Sequence, residues 1–179
     1  TGVQTCALPI STEQNTVKGK QVSIERDKDG NPTKISDGGT PPSTATITKN
    51  ADGQQVITTG DNKQTIVPKD AVISVDKTTG AVSFKTATGT TEVKPDGTKV
   101  ETDLAKHTTT TRTPDGIVLV INNETNASVR TMPDGTVRTS DGKPDGKETV
   151  VTTYKDGTVV TYNTELQTRL TTNSKTGVT

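Results

Sequence analysis

The chain has 179 residues, and its 21 basic and 21 acidic side chains cancel. Without net positive charge, no long-range attraction to nucleic acid or to an anionic membrane is expected. The longest apolar run, residues 117–121 (IVLVI), is far shorter than the ~20 residues that a membrane-spanning helix needs. We therefore predict no nucleic-acid partner and no membrane span in this chain.

The composition favours β-structure. Threonine occurs 40 times, and valine plus isoleucine outnumber leucine by 28 to 5. Branched side chains suit a pleated sheet and lose rotamer freedom in a helix. Leucine, isoleucine, valine and phenylalanine together number only 34, which is too few to balance the cost of ordering so long a chain with a deep core. The sequence thus predicts an all-β protein with a thin or single-layer sheet that cross-strand pairs stabilise.

The first ten residues, TGVQTCALPI, differ from all that follow. They carry no charge, and they hold Cys6, the single cysteine of the chain. We interpret residues 1–10 as a non-native segment, the in-frame translation of a sequencing adapter, and expect them to pack poorly or not at all. Disulfides and cysteine-based zinc sites are then excluded for the rest of the chain.

The remaining chain is predicted to be a run of hairpins. We assign residues 11–35 to an N-terminal hairpin and residues 36–44 (SDGGTPPST) to a linker. Residues 45–165 are assigned to a β-hairpin repeat region. Residues 166–179 are assigned to a C-terminal tail or a truncated further repeat.

Asp-Gly turns organise the repeat region. The dipeptide occurs nine times, four of them after proline, and Asp96, Asp115 and Asp134 follow one another at intervals of 19 residues. A fixed interval is typical of repeat architectures. Proline presets φ for the first corner of a type I turn, and glycine takes the left-handed position of a G1 bulge. The predicted structural turn residues are Pro95, Asp96, Gly97, Pro114, Asp115, Gly116, Pro133, Asp134, Gly135, Asp156 and Gly157.

The interval also predicts the topology. Nineteen residues accommodate two strands and two turns, so an extended antiparallel meander places these turns at one edge of the sheet. Around the last turn, Thr152 should lie opposite Val160. Val150 should lie opposite Tyr162, which puts Tyr162 and Tyr154 on one face. The terminal strands present unpaired backbone groups, so we expect contacts with other chains there.

We predict no catalytic residue and no cofactor. His107 is the only histidine, and it is predicted to lie in a solvated turn near Asp103. A single histidine without partners forms neither a catalytic triad nor a metal site. The chain is therefore not expected to be an enzyme.

Two acidic loops invite comparison with calcium sites. Asp27, Asp29 and Asn31 alternate as in an EF-hand loop. That loop requires glycine at its sixth position and glutamate at its twelfth, where this chain has Pro32 and Gly38. A hairpin turn explains this segment better than a metal site does.

The second acidic loop, DGKPDGKE, gathers Asp141, Asp145 and Glu148. It could hold a weak cation if its carbonyl groups converged, but we predict no metal site here either. Asn123 and Asn126 each begin an Asn-X-Thr/Ser sequon. Such triplets arise by chance in a threonine-rich chain, so they carry no weight without a secretory context.

The repeated PDGT turns between threonine- and valine-rich strands cover about residues 90–165. With their turns at Pro95, Pro114, Pro133 and Asp156, they resemble the C-terminal glycine-rich (G-box) repeat domain of the CPAP and T-complex-protein family of centriolar scaffolds. The resemblance implies a long antiparallel sheet with both faces exposed. It also implies binding of a proline-rich peptide from a partner scaffold, without indicating which residues bind.

Two functions are compatible with the sequence. The leading hypothesis is a non-catalytic structural or adhesive segment, acting as a spacer or display surface of a larger exported or cell-surface protein. The alternative is an intracellular scaffold sheet that binds a protein or peptide through an exposed sheet edge or face. A signal peptide or wall anchor elsewhere in the gene would favour the first, and a coiled coil would favour the second.

Overall fold

The structure, a computed structural model, describes residues 11–17, 19–144 and 146–173. Within these ranges the chain forms seventeen β-strands and no helix, which confirms the predicted all-β class. No helix able to cross a membrane is found among the described residues. The prediction for residues 1–10 falls outside the described residues.

The first sheet is a six-stranded antiparallel meander in which spatial order follows chain order. Its strands are Ser11–Val17 (β1), Lys20–Arg26 (β2), Pro32–Ser36 (β3), Thr44–Lys49 (β4), Gln55–Thr59 (β5) and Gln64–Ile66 (β6). Residues 36–44, assigned to a linker from the sequence, connect β3 and β4 within this sheet.

The second sheet continues the meander through eleven strands, again in chain order. Its strands are Ile73–Val75 (β7), Val82–Thr86 (β8), Gly89–Val93 (β9), Lys99–Asp103 (β10), Thr108–Arg112 (β11), Val118–Asn122 (β12), Ser128–Thr131 (β13), Val137–Ser140 (β14), Thr149–Thr153 (β15), Thr158–Asn163 (β16) and Thr168–Asn173 (β17). The predicted antiparallel meander of hairpins with Asp-Gly turns is thus confirmed.

The chain divides into two compact units, residues 1–99 (unit 1) and residues 100–179 (unit 2). In unit 1 the first sheet and strands β8 and β9 share one hydrophobic core. Alternate residues of β2 to β5 point into it, as the period of two in a strand requires. The core residues are Ile24, Ile35, Ala45, Ile47, Ile57, Val67, Val82, Phe84 and Val93. Unit 1 is therefore a two-layer structure.

Unit 2 has no comparable core. Val150 is the only hydrophobic side chain below a tenth exposed among the described residues of this unit, and most positions of β11 to β17 are half-buried or exposed on both faces. Ladder hydrogen bonds and cross-strand neighbours must supply most of its stability. The predicted thin or single-layer sheet matches unit 2, whereas unit 1 has two layers.

Two longer connections begin with the same Ser-Asp-Gly sequence and close in the same way. Asp37 accepts hydrogen bonds through Oδ1, one of them from the N–H of Ser43 at 2.9 Å. Asp141 Oδ1 accepts the corresponding bond from Thr149 at 3.0 Å. An aspartate that binds amides of its own loop fixes the loop without a ligand.

Candidate functional site

The four predicted turns share one backbone geometry. In each of them the glycine N–H donates to the carbonyl oxygen of the residue three positions earlier, at 2.9–3.1 Å. The glycines all have positive φ, with values of 91° for Gly97, 89° for Gly116, 87° for Gly135 and 89° for Gly157. This is a type I turn followed by a left-handed residue, the geometry that glycine adopts without strain.

The turn prolines differ in their surroundings. Pro95 is fully buried, and Pro114 and Pro133 are exposed. A side chain at Gly116 would lie 3.6 Å from Pro133, so these two turns stack against each other. The turns are thus packed differently although their backbones match.

The turn aspartates bind their own turns. Oδ1 of Asp96, Asp134 and Asp156 each accepts a hydrogen bond at 2.8 Å from the N–H of the threonine two residues on. In the second turn the hydroxyl of Thr113 donates to Asp115 instead. The threonine N–H holds the pKa of the Asp134 carboxyl below its usual value because it stabilises the charged form. These carboxylates are therefore engaged by local backbone or hydroxyl groups.

The two loops that resembled calcium sites are also closed by their own side chains. Asp27 Oδ1 accepts from the N–H groups of Asp29 and Asn31, both at 2.9 Å, as in a hairpin turn. In the second loop the Ser140 hydroxyl donates to Glu148. Over the ranges that the structure describes, no group of three or more acidic, histidine or cysteine side chains converges as a metal site would require.

His107 lies where the sequence placed it, in the turn between β10 and β11. Its Nδ1 is 3.3 Å from an Oε1 of Glu124, and both side chains are more than half exposed. Asp103 instead accepts from the N–H of Lys106 at 2.9 Å, and this bond lowers the pKa of the Asp103 carboxyl. The structure therefore does not bring His107 and Asp103 together as a catalytic pair.

A concave surface of unit 2 lies on the face that we call the tyrosine face. This face consists of the residues of β11 to β17 whose side chains point to the same side of the sheet as Tyr162. A groove of about 510 Å³ runs over it. Its apolar, aromatic and charged lining residues are Met132, Arg138, Glu148, Val150, Tyr154 and Tyr162.

The strand register produces this groove. Val150 lies opposite Tyr162, and Thr152 lies opposite Val160, so the predicted pairing around the last turn is confirmed. Val150 is 8% exposed, whereas Tyr154 is 44% and Tyr162 is 36% exposed. The groove thus has a nearly buried valine beside the accessible ring of Tyr162, and a second accessible ring, Tyr154, farther along β15.

An arginine pair adjoins the groove, and the sequence analysis missed it. Arg130 on β13 lies directly opposite Arg138 on β14. Both are exposed, and neither makes a hydrogen bond or an ion pair with a described residue. The strand composition gave a signal, because β11 to β17 contain four arginines and no aspartate or glutamate.

The opposite face of the same strands has a different character. It alternates valine with threonine, for example Val137 opposite Thr153 and Thr139 opposite Val151. Arg112 is its single charged strand residue between β11 and β17, and its Nε is 3.8 Å from Oε2 of Glu101. Unpaired charge and aromatic rings therefore concentrate on the tyrosine face.

Comparison with solved structures places the fold beside the G-box domains. The TCP domain of SAS-4 (dCPAP) from Drosophila melanogaster, solved in complex with a proline-rich motif of Ana2 (dSTIL), aligns with a TM-score of 0.50 and 12% identity, over 73% of this chain and 84% of that one. The wild-type TCP10 domain of Danio rerio CPAP aligns with a TM-score of 0.45 and 17% identity, over 94% of this chain and 93% of that one. The first of these alignments confirms the predicted resemblance in fold.

Sequence comparison adds no family. No protein-family model matches the chain, and no curated protein matches it. At 12% identity the likeness to the Drosophila domain concerns the fold alone, so binding residues have to be found in this chain's own geometry.

Proposed function

We propose that the chain is a non-catalytic scaffold sheet that binds an extended partner peptide in the groove of the tyrosine face. The groove itself carries the proposal. Two exposed tyrosine rings line it: Tyr162 lies directly opposite the nearly buried Val150, and Tyr154 lies four residues farther along the strand of Val150. Such a surface offers an apolar contact together with two hydroxyl groups.

The groove suits a peptide in the polyproline II conformation. Proline-rich segments are already extended and lose little entropy on binding, and they dock on grooves lined by aromatic side chains. Tyr162 is already held by a hydrogen bond from its hydroxyl to Oε1 of Gln167 at 3.2 Å. A ring fixed in this way loses less freedom when a ligand packs on it.

The structural comparison supports the peptide-binding hypothesis more than the exported spacer. The aligned Drosophila domain was solved with a proline-rich motif of its partner, and its fold is similar to that of this chain. Repetition alone motivates the spacer hypothesis. Contact through a terminal strand such as β17, which ends the second sheet, remains a further prediction.

The chain's own fluorescence gives a direct test. It contains two tyrosines and no tryptophan, so all its tyrosine emission comes from Tyr154 and Tyr162. We expect synthetic proline-rich peptides without aromatic residues to change this emission in a saturable way.

Calorimetry on variants then locates the site. Tyr154→Ala and Tyr162→Ala should each abolish or strongly weaken binding. Thr161→Ala is the matched control, because Thr161 neighbours Tyr162 on the same strand but belongs to the opposite face. Equal binding by all three variants, or no binding of any proline-rich peptide to the native chain, would contradict the proposed function.

A further inference from the structure

We propose that the peptide taken by the tyrosine face is acidic, and that Arg130 and Arg138 together hold one of its carboxylates. This inference rests on the proposed function and specifies the chemistry of the ligand. It starts from the two opposed guanidinium groups beside the groove. Among the described residues of unit 2, none offers these two charges a hydrogen bond or an ion pair.

The free protein gains no stability from this placement. Like-charged side chains directly opposite each other on a sheet are destabilising. Neither guanidinium is neutralised by a described residue. On the other neighbouring strand of each arginine, Leu119 lies opposite Arg130 and Thr152 lies opposite Arg138. Neither of these residues carries a charge.

The described arginines that lie off the tyrosine face, Arg26 and Arg112, each have a carboxylate nearby. Arg26 lies 3.4 Å from Glu13, and Lys34 lies 3.4 Å from Glu25. Arg112, on the opposite face of unit 2, has Glu101 within 3.8 Å. The unpaired arginines are therefore concentrated where the groove lies.

A bound carboxylate would satisfy both arginines. A guanidinium presents its donors as a planar fork that matches the two oxygens of a carboxylate. Two forks on neighbouring strands can share one carboxylate or each bind one oxygen. The binding would relieve the repulsion between Arg130 and Arg138, so part of the stability lost in the free sheet would return on binding.

The groove also sets the spacing of the ligand. Arg138 lies opposite Thr152 on β15, so Tyr154 is one strand interval of ~4.8 Å across and two residues, or ~7 Å, along the strand, about 8 Å away in all. A polyproline II segment advances ~3.1 Å per residue. The carboxylate should therefore precede or follow the residue that packs on Tyr154 by about three positions.

The surroundings favour a peptide with few carboxylates over a polyanion. Glu148 lines the same groove, and Asp134 and Asp156 lie in the turns of the strands that form it. These carboxylates would repel a phosphate backbone, and the chain has no net charge to attract one. An isolated glutamate or aspartate in the peptide carries a single charge and so incurs much less of that repulsion.

Three fluorescein-labelled proline-rich dodecapeptides test the inference by fluorescence polarisation. They differ at one residue, which is Glu, Gln or Lys, three positions before a Pro-Pro pair. We expect the Glu peptide to bind the full chain about three- to tenfold more tightly than the Gln peptide, since exposed bidentate pairs are worth little more. The preference should shrink as the salt concentration rises.

Variants assign the preference to the pair. The double variant Arg130→Gln/Arg138→Gln should bind the Glu and Gln peptides equally, and Arg138→Glu should come to prefer the Lys peptide. Arg112→Gln, which removes an arginine from the opposite face, should keep the native preference. Thermal unfolding of each variant confirms that it is folded.

The outcomes separate the two proposals. If the Glu and Gln peptides bind the native chain equally but Tyr154→Ala abolishes both, the acidic preference is overturned and the groove function stands. The preference is likewise overturned if it survives in the double variant, or if a single-stranded DNA oligonucleotide displaces the Glu peptide at equal concentration. If none of the peptides binds, both proposals fail.

Discussion

Alanine substitutions at two turn glycines should separate backbone strain from steric exclusion. Gly135 has a φ of 87°, and a Cβ added to it would meet no atom within 4 Å. Gly142 has a φ of 69°, but there a Cβ would lie 2.3 Å from both the amide nitrogen of Ala127 and the carbonyl carbon of Asn126. Position 135 requires only a residue that adopts a left-handed backbone, whereas position 142 also requires a residue without a side chain.

The two costs can be estimated separately. A non-glycine residue in the left-handed region costs ~1–2 kcal/mol. Alanine also lowers the conformational entropy of the unfolded chain relative to glycine, which stabilises the folded state by ~0.4–1 kcal/mol. Gly135→Ala should therefore lose on the order of 1 kcal/mol. At Gly142 the clashing atoms are backbone and cannot rotate away. The loop must separate from residues 126–127, and a loss above about 3 kcal/mol is expected.

Differential scanning calorimetry measures the difference. In a domain of 60–100 residues, 1 kcal/mol shifts Tm by roughly 4–8 °C. Gly142→Ala should therefore lower the Tm of unit 2 at least twice as far as Gly135→Ala does. Gly135→Asn is the control, because asparagine tolerates positive φ better than alanine. Equal shifts for Gly135→Ala and Gly142→Ala would refute the close approach at Gly142.

Three further outcomes are expected. Ile57→Ala should destabilise unit 1 by ~2–5 kcal/mol in urea because it leaves a cavity in the core, whereas Val159→Ala on the open sheet of unit 2 should cost clearly less. The ammonium group of Lys63 holds the pKa of the Asp61 carboxyl below its ordinary value, so its contribution is complete above about pH 4 and is lost as the pH falls through the lower folded value. Scans of Tm from pH 6 to 2 should therefore fall less steeply for Asp61→Asn. Arg138→Thr should stabilise free unit 2 by ~0.2–1 kcal/mol, and an unchanged or lower Tm would contradict repulsion at the arginine pair.

The sequence was sufficient to predict the hairpin meander that unit 2 forms. Its Asp-Gly turns share one backbone geometry, with or without a preceding proline, so the turn positions also set the strand register around Tyr154 and Tyr162. The two-layer core of unit 1 was not predictable from composition. Averaging apolar residues over the whole chain concealed their concentration in unit 1, which holds every buried hydrophobic side chain among the described residues except Val150.

The candidate site was predicted only in part. The shared face of the tyrosines follows from one hairpin and its turn. The position of Arg138 relative to Val150 depends on the loop between β14 and β15, whose ends are paired as Ser140 opposite Val150. The sequence of that loop, DGKPDGKE, offers two Asp-Gly pairs at which the chain could turn. It therefore does not show how many residues the loop contains between the two strands. Contacts across irregular loops are therefore the part that needed the structure.

The single layer explains how one sheet can carry two chemically different faces. In unit 1 the inward positions of β2 to β5 are committed to the core, and a charge at Ile24 or Ile35 would be buried without a partner. In unit 2 both faces reach solvent, so the stability of the sheet places little constraint on the side chains beyond their cross-strand neighbours. Arginines and tyrosines can therefore collect on one face while valine and threonine fill the other. A sheet built in this way tolerates substitution on the tyrosine face without losing a core, which is what the proposed peptide-binding role of unit 2 requires.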